Sequence, residues 1–481
     1  MWITTADYLF DEPSAGLLGL TLPGVFAAAV EVAPDAVAAT DGRRTWTWRQ
    51  WQADSQALAA GLQRNGVRPG GVVAVRLPND WSFLTAHIAV AAIGAVMLPL
   101  PPALETSDVR TVLDRVEPAF TVDTGIWARL LADGTGEQPR PVAVHPDMPL
   151  MVLPSSGTTA ARPKLCLHTH DAALSNGAAI AADGLVNEAD VLLSALPFRG
   201  FTLQLIHLTL FTRARQALLP HWDVDAFLDV AARTGATVLY AVPTQLGDLV
   251  RMLDTQSAAQ IALRWVRTGC ASVPASLIED LRRTTGARVI VQWGMSEVWA
   301  GTCTRQDDPD EAVSTTIGTP VAGARVRVVE GELQLRGPSM FRGYLGEPEL
   351  TDAAVTGDGW LRTGDRAEIG NDGRVRFLGR SSEMISVGGR EFPAREVEDL
   401  LARFGRVVVV GRPDGRHGEY PCLVVDRPDV TLAEATGVLR AAGLAEYKIP
   451  VELITVEAIP LTYSGKISRR LVIELLATLA T

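Results

Sequence analysis

The sequence is short of cysteine and of positive charge, and each shortage excludes a class of protein. Among 481 residues four are cysteine, without a Cys-x-x-Cys pair or a Cys/His zinc spacing: Cys166, Cys270, Cys303 and Cys422. We therefore expect reduced thiols in a cytoplasmic protein. The 55 acidic residues outnumber the 44 basic ones and give a net charge of −11. This balance argues against a nucleic-acid-binding protein, because such proteins need a basic patch.

Signals for export, membrane insertion and sequence repetition are also missing. No Lys or Arg precedes Arg43, so the sequence has no basic segment of the kind that begins a signal peptide. The most apolar stretch, Leu84–Pro101, contains His87 and ends in prolines. It therefore predicts a buried helix followed by a strand rather than a membrane span. No fixed-period repeat is visible.

The remaining composition indicates a globular protein of two or more domains. Hydrophobic residues make up 47% and charged residues 21% of a chain that is longer than one ordinary core requires. Short apolar runs alternate with amphipathic helical segments such as Trp48–Asn65 and Ala275–Thr285, a pattern typical of parallel sheets covered by helices. The predicted buried strands are Val72–Leu77, Val96–Leu100, Leu150–Leu153, Thr237–Val242 and Arg288–Gln292.

The pattern changes in the last third of the chain. Arg325–Arg336 and Arg374–Leu378 predict strands of a more antiparallel region. The Gly/Arg/Ser-rich segment Gly379–Glu383 then precedes a final unit of about 100 residues, which is an ordinary domain size. We therefore expect a large N-terminal domain, residues 1–381, and a small C-terminal domain, residues 382–481.

A loop of small hydroxyl residues follows the apolar run Met148–Leu153. Ser155–Lys164 reads Ser-Ser-Gly-Thr-Thr-Ala-Ala-Arg-Pro-Lys. Backbone N–H groups and hydroxyls in such a loop bind phosphate oxygens, and the Lys adds a full positive charge. The loop is not a Walker A sequence, since no Gly-Lys-Ser/Thr closes it. Taken alone, the segment is better explained as an ordinary surface turn.

Two later segments, Trp293–Glu297 and Thr462–Lys466, change this interpretation. In this order the three motifs resemble the adenylate-forming family of acyl-CoA synthetases, peptide-synthetase adenylation domains and luciferases. Members of that family make an acyl-AMP from ATP and a carboxylic acid with the help of Mg²⁺. The resemblance implies an α/β fold with a large N-terminal region of stacked sheets, helices and a β-rich subregion. A small, mobile C-terminal α+β domain would carry Lys466.

The resemblance also assigns roles to individual residues. Lys466 would bridge the substrate carboxylate and the α-phosphate, Glu297 would bind Mg²⁺, and Ser296 would contact the α-phosphate. Asp365 would accept both ribose hydroxyls, although Asp after Thr-Gly is also a common turn residue. Glu297 has an alternative explanation as a carboxylate favoured at a helix start. The other predicted ATP- and AMP-binding residues are Ser155, Ser156, Gly157, Thr158, Thr159, Lys164, Gly269, Cys270, Ala271, Gln292, Trp293, Gly294, Met295 and Arg380.

Several positions depart from the family pattern. Ala160 stands where the phosphate loop usually has Gly, and Cys270 interrupts the usual Gly-Gly-Ala of the adenine wall. Trp293 replaces the usual Tyr, and we expect it to stack on adenine. The hinge between the two domains aligns with Ser382 in place of Asp or Lys.

The predicted acyl pocket contains His170, Phe198, Arg199 and Gly200. Amino-acid-activating members of the family typically carry Asp where this chain has Arg199. We therefore expect a carboxylic acid without an α-amine, while a surface Arg is the alternative explanation. His168 and His170 lie two residues apart, but the sequence offers no third ligand at a suitable spacing, which argues against a metal site.

The thiol acceptor is predicted from Gly388 and Gly389, which resemble the segment that lines the pantetheine tunnel of the family. Small residues there leave room for a thin thiol arm, so we expect coenzyme A to accept the acyl group. Two alternatives stay open. In the first, a separate carrier protein rather than coenzyme A accepts the acyl group. In the second, the chain binds nucleotide but no longer catalyses adenylation.

Overall fold

The computed structural model describes residues 19–100, 102, 107–155, 163–198, 200–255, 261–271, 273–415, 417–461 and 467–479. In chain order it begins with α1 (Leu22–Val32), β1 (Val37–Thr40), β2 (Thr45–Thr47), α2 (Trp48–Arg64), β3 (Val72–Val75), α3 (Trp81–Ala92), β4 (Val96–Pro99), α4 (Ser107–Val116), β5 (Phe120–Val122), α5 (Thr124–Gly134), β6 (Pro149–Ser155), β7 (Lys164–Thr169), α6 (His170–Ala181), β8 (Val191–Ser194), α7 (Leu203–Thr212) and β9 (Arg215–Ala217).

The second half continues the alternation of helices and strands. It contains α8 (Val224–Thr234), β10 (Val238–Tyr240), α9 (Pro243–Thr255), β11 (Trp265–Gly269), α10 (Ala275–Thr285), β12 (Arg288–Met295), β13 (Trp299–Cys303), α11 (Asp310–Thr315), β14 (Thr319–Pro320), β15 (Arg325–Val329), β16 (Glu332–Arg336), β17 (Gly343–Tyr344), α12 (Pro348–Ala354), β18 (Leu361–Ile369) and β19 (Val375–Arg380). The last part contains β20 (Met384–Val387), β21 (Arg390–Pro393), α13 (Ala394–Leu400), β22 (Val407–Asp414), β23 (Gly418–Val425), α14 (Leu432–Ala441), β24 (Glu452–Thr455) and α15 (Arg469–Leu479).

Two large sheets form the first part of the molecule. Within the described residues, one has nine strands in the order β14-β13-β12-β11-β10-β8-β9-β1-β2, and the other has six in the order β17-β7-β6-β4-β3-β5. Strands β8 to β12 run parallel, as do β3 to β6. The prediction of parallel sheets between helices is confirmed. All five predicted buried strands are present, with ends shifted by a few residues.

The predicted β-rich subregion is an antiparallel sheet in the order β15-β16-β18-β19. The run Arg325–Arg336 is divided there into two strands of a hairpin, because Glu330 and Gly331 both have positive φ, at 52° and 80°. Strands β20 to β24 form a further sheet that begins at Met384. This start lies close to Ser382, while the domain boundary itself stays a prediction.

Within the described residues, the apolar stretch that begins at Leu84 contains most of helix α3 and the whole of strand β4, as the sequence predicts. Eleven of the twelve residues of α3 are buried. Among the helices that the structure describes, none has both the length and the apolar composition needed to cross a bilayer.

Helices α3, α6 and α7 place histidines in the core. His87 and His207 are fully buried, and their Nε2 atoms lie 3.1 Å apart, so one ring donates a proton that the other accepts. Burial lowers the pKa of His168 and His170 to about 4 and that of His207 to about 3, while the pKa of His87 also falls well below its usual range. These rings are therefore neutral in the folded protein at neutral pH.

Because the folded-state pKa values lie below that of free histidine, acid should destabilise the protein. The unfolded chain takes up protons at these sites as the pH falls through about 6.5, whereas the folded chain does so only near pH 4 or below. The free energy of unfolding should therefore fall between pH 6.5 and 4, by up to about 1.4 kcal/mol per pH unit for each such histidine.

Urea unfolding at a series of pH values measures this slope. His207→Gln should reduce it, and the exposed His145 provides the control, since His145→Gln should leave it unchanged. An equal slope in the wild type and in His207→Gln would contradict the assignment of acid sensitivity to the buried cluster.

Candidate active site

Three of the predicted nucleotide-binding residues meet where strand β12 approaches the antiparallel sheet. The indole Nε1 of Trp293, in β12, donates to Oδ2 of Asp365, in β18, over 2.8 Å. Arg380, at the end of β19, pairs with Asp365 in the sheet register, and its Nε lies 3.2 Å from Oδ1. Three motifs that are far apart in sequence are thus joined at one carboxylate.

Asp365 is 2% exposed, so its carboxylate needs compensation for the lost water. Burial raises its pKa, while the Arg380 charge and the Trp293 hydrogen bond lower it. Oδ1 has no hydrogen-bond donor among the described residues, because Arg380 approaches it only as an ion pair. Buried polar atoms normally have a hydrogen-bond partner, so Oδ1 is suited to accept a ligand hydroxyl.

The second carboxylate of the site, Glu297, lies two residues after the end of β12. It is 4% exposed, and its Oε1 accepts a hydrogen bond from the Tyr344 hydroxyl over 2.8 Å. The Lys164 ammonium lies 5.0 Å from the centre of the Tyr344 ring, within the range of a cation–π contact. Lys164, Tyr344 and Glu297 therefore form a connected series from the phosphate-loop motif to the predicted metal ligand.

Glu297 fits the coordination that Mg²⁺ prefers with a nucleotide. No group of three or more His, Cys, Asp or Glu side chains suited to a metal occurs in the described part of the chain. Mg²⁺ is usually bound by one or two carboxylates together with substrate phosphates rather than by a cage of protein ligands. A single oriented carboxylate near the phosphate-loop motif meets this requirement.

His168 fixes the turn that carries Ser296 and Glu297. Its Nε2 lies 2.7 Å from the Ser296 carbonyl oxygen, and the Trp299 indole donates to its Nδ1 over 3.0 Å. These contacts require the proton on Nε2 and agree with the lowered pKa of this ring. His168 is thus a structural support of the motif rather than a metal ligand.

Gly269 is the last residue of strand β11, where it pairs with Gln292 of β12, and Cys270 and Ala271 follow it. Cys270 has a φ of 66°, a left-handed conformation that glycine adopts without strain. This geometry explains why the family usually has Gly at this position. The Cys270 thiol is exposed, whereas the three other cysteines are buried. Gln292, which pairs with Gly269, is buried and accepts a hydrogen bond from Arg267 over 3.3 Å.

Several predicted site residues lie outside the described residues, and their roles stay predictions: Ser156, Gly157, Thr158, Thr159, Arg199 and Lys466. The chain on either side of the phosphate loop is described, since Ser155 pairs with Lys164 across β6 and β7. Leu461 and Ile467 form an antiparallel bridge at the ends of the lysine loop. The side chain of the hinge residue Ser382 also lies outside the described residues.

The predicted acyl-pocket residues that are described lie around the start of α6 and before α7. His170 begins α6, and its Nδ1 accepts the Leu22 N–H over 3.1 Å. Phe198 is buried with its ring 5.4 Å from that of Phe83, and Gly200 begins a short 3-10 helix.

The predicted tunnel residues Gly388 and Gly389 have φ values of 58° and 76°. A Cβ at either position would meet no atom within 4 Å. The space around them is open, so substitution there would strain the backbone rather than cause a collision.

Sequence reasoning assigned no role to Tyr344 and no partner to the Trp293 N–H. Tyr344 lies in the short strand β17, and only the structure shows that its hydroxyl reaches Glu297. The two hydrogen bonds join residues that are separated by 47 and by 72 positions in the sequence, and a local sequence pattern does not indicate such contacts.

Comparison with known proteins places this site in a family. The family described as AMP-binding enzyme matches residues 26–345. Protein Y of Streptomyces griseus is 42% identical over 277 residues, which are 49% of this chain and 90% of Protein Y. A second relative is a propanoyl:CoA ligase of Mycobacterium tuberculosis, whose propanoyl group carries a 7a-methyl-1,5-dioxo-octahydro-1H-inden-4-yl substituent. The two sequences are 30% identical in an alignment that covers 93% of this chain and 97% of the ligase.

Solved structures also resemble the whole molecule. The structure of ATP-bound MatB from Rhodopseudomonas palustris matches with 25% sequence identity and a TM-score of 0.83. The match covers 95% of this chain and 99% of that chain. The predicted α/β adenylate-forming fold is therefore confirmed.

The exposed Cys270 thiol provides a direct test of the nucleotide site. If Gly269, Cys270 and Ala271 line the adenine position, ATP should slow the alkylation of Cys270 by iodoacetamide. The slowing should be about tenfold at an ATP concentration ten times the dissociation constant, by mass action. Peptide mass spectrometry measures the rate, with the buried Cys166, Cys303 and Cys422 as internal controls. Equal rates with and without saturating ATP would exclude this placement.

Proposed function

Because the chain belongs to the family of AMP-binding enzymes, we propose that it is an AMP-forming acid–thiol ligase. It activates a carboxylic acid with ATP to give an acyl-AMP and pyrophosphate, and then transfers the acyl group to the thiol of coenzyme A. The observation that carries this proposal is the meeting of Trp293, Asp365 and Arg380 at one buried carboxylate, in a chain similar over nearly its full length to a CoA ligase.

The first half-reaction brings a carboxylate to the α-phosphorus of ATP, and both are anions. Mg²⁺, held by Glu297 and the phosphates, would neutralise part of the phosphate charge. Lys164 is positioned at the end of the phosphate loop, and Lys466 would supply a cation at the bond that forms. Asp365 would hold the ribose through Oδ1, which has no hydrogen-bond donor among the described residues.

The second half-reaction needs a thiol. The similarity to a CoA ligase, which extends over nearly the whole chain, supports coenzyme A as the acceptor. The open space at Gly388 and Gly389 is compatible with a narrow thiol arm. A separate carrier protein is the other candidate acceptor. Its phosphopantetheine arm has the same terminal chemistry, so an acceptor assay has to separate the two.

The acid is proposed to lack an α-amine, since Arg199 occupies the place of the Asp that would pair with an ammonium group. The proposed compartment is the cytoplasm. The four cysteines are unpaired thiols, which is the state expected in a reducing compartment.

The first test is pyrophosphate exchange with a panel of acids, followed by the addition of coenzyme A. Some aliphatic or aromatic acid should give a clear signal, while common α-amino acids stay near background, because an unpaired buried ammonium costs several kcal/mol. With the best acid, coenzyme A alone should yield acyl-CoA detectable by mass. If acyl-AMP accumulates and no thioester forms, a carrier protein is favoured as the acceptor. If no acid supports pyrophosphate exchange, the alternative that this chain binds nucleotide without adenylating an acid is favoured.

The second test separates the two half-reactions through Lys466. Lys466→Ala should slow acyl-AMP formation by about 10²–10³, because one oriented group at a developing charge typically contributes that factor. Transfer from pre-made acyl-AMP to coenzyme A should change much less. Lys448, which is paired with Glu396 over 2.6 Å, is the matched control, since Lys448→Ala should spare both steps. Equal losses in both half-reactions of Lys466→Ala would contradict the assigned role.

A further inference from the structure

The indole of Trp293 is held at two edges. Its N–H donates to Oδ2 of Asp365 over 2.8 Å. The opposite edge lies against Gly301 in β13, where a Cβ would come within 2.5 Å of the Trp293 Cζ3 and within 2.6 Å of Leu335. The side chain is 8% exposed and belongs to the main hydrophobic core. A ring fixed in this way delivers its N–H to a defined position.

The Asp365 carboxylate receives unequal contacts on its two oxygens. Arg380 approaches Oδ1 from the more open side of the site, since its own side chain is 37% exposed. The buried Trp293 N–H binds Oδ2. Without that hydrogen bond, the carboxylate would be free to rotate toward the guanidinium and present both oxygens to it, the arrangement that Arg–carboxylate pairs prefer. The Trp293 hydrogen bond therefore leaves Oδ1 available for a ligand.

We propose that Trp293 is a positioning residue that orients Asp365 toward the ribose of ATP and thereby sets the preference for ribose hydroxyls. This inference rests on the proposed function, and it assigns to Trp293 a role different from adenine stacking. The ring has little exposed surface for a ligand, whereas its single donor is used on the carboxylate. Its contribution acts through Asp365.

The experiment compares ATP with 2′,3′-dideoxyATP in pyrophosphate exchange. The wild type should have a higher kcat/KM with ATP than with 2′,3′-dideoxyATP. Trp293→Phe keeps an aromatic ring but removes the N–H. This variant should reduce the ratio of the two kcat/KM values about tenfold, as expected for the loss of a hydrogen bond to a charged group. The change should appear mainly in the KM for ATP. A loss that is equal for the two nucleotides would overturn the proposal.

Trp265→Phe is the matched control. Trp265 lies on the neighbouring strand β11, is 9% exposed, and its N–H has no hydrogen-bond partner among the described residues. This variant should leave the ratio between the nucleotides unchanged. A similar fall of the ratio in Trp265→Phe would mean that loss of a buried indole, rather than the Trp293 N–H, causes the effect.

A double-mutant cycle separates positioning from general destabilisation. If Trp293 acts through Asp365, then Trp293→Phe should have no further effect on the nucleotide ratio in Asp365→Ala. Additive effects would overturn the proposal, as would a wild type that exchanges pyrophosphate but does not distinguish the two nucleotides. A wild type without exchange for any acid, yet with ATP-protected Cys270, would count against the proposed function. In that case the dissociation constants of ATP and 2′,3′-dideoxyATP are measured for the same variants. Trp293→Phe should again reduce the preference for ATP, and an equal loss of affinity for the two nucleotides would overturn the proposal.

Discussion

The buried carboxylate of Asp365 is the point on which the proposed nucleotide site depends. A charge in the protein interior is tolerated only when hydrogen bonds and an opposite charge replace the lost water. Here Trp293 supplies the hydrogen bond from the large parallel sheet, and Arg380 supplies the charge from the adjacent antiparallel strand. The same compensation that makes the charge tolerable also fixes the two sheets to each other at the site.

Glu297 is also a buried carboxylate that a hydrogen bond stabilises, but its partner is different. Its hydrogen bond comes from Tyr344, on a short strand that pairs with β7, and Tyr344 in turn contacts Lys164. Lysine, one source of positive charge for the phosphates, is scarce in this chain. The chain contains three lysines, of which Lys164 and Lys466 lie in the phosphate-loop and C-terminal motifs, while Lys448 is paired with Glu396. An overall charge of −11 is compatible with binding ATP because a few cations are enough to form a local basic pocket in an acidic protein.

The sequence predicts the parts of this molecule that depend on local pattern. Helix α10 has the predicted bounds, since Gly286 adopts the left-handed conformation that ends it, and the buried strands appear near their predicted positions. The hairpin turn at Glu330–Gly331 was harder to predict from the sequence, because Glu is not a residue type that indicates a positive φ. The contacts that organise the site were not predicted, since Trp293 and Asp365 are 72 residues apart and belong to different sheets. The roles of Lys466 and Arg199 still rest on the sequence alone.

The replacement of Tyr by Trp at position 293 is linked to a second residue in the same structure. The indole extends over Gly301, and any larger residue there would have to displace either the ring or Leu335. Overpacking of this kind typically costs about 1–3 kcal/mol, so Trp293 and Gly301 depend on each other energetically. Position 301 also lies in the strand that follows the Glu297 turn. A change at Gly301 would therefore shift the Trp293 ring and with it the N–H that binds Asp365. The orientation of the carboxylate proposed to bind ribose thus depends partly on a residue in a different sheet.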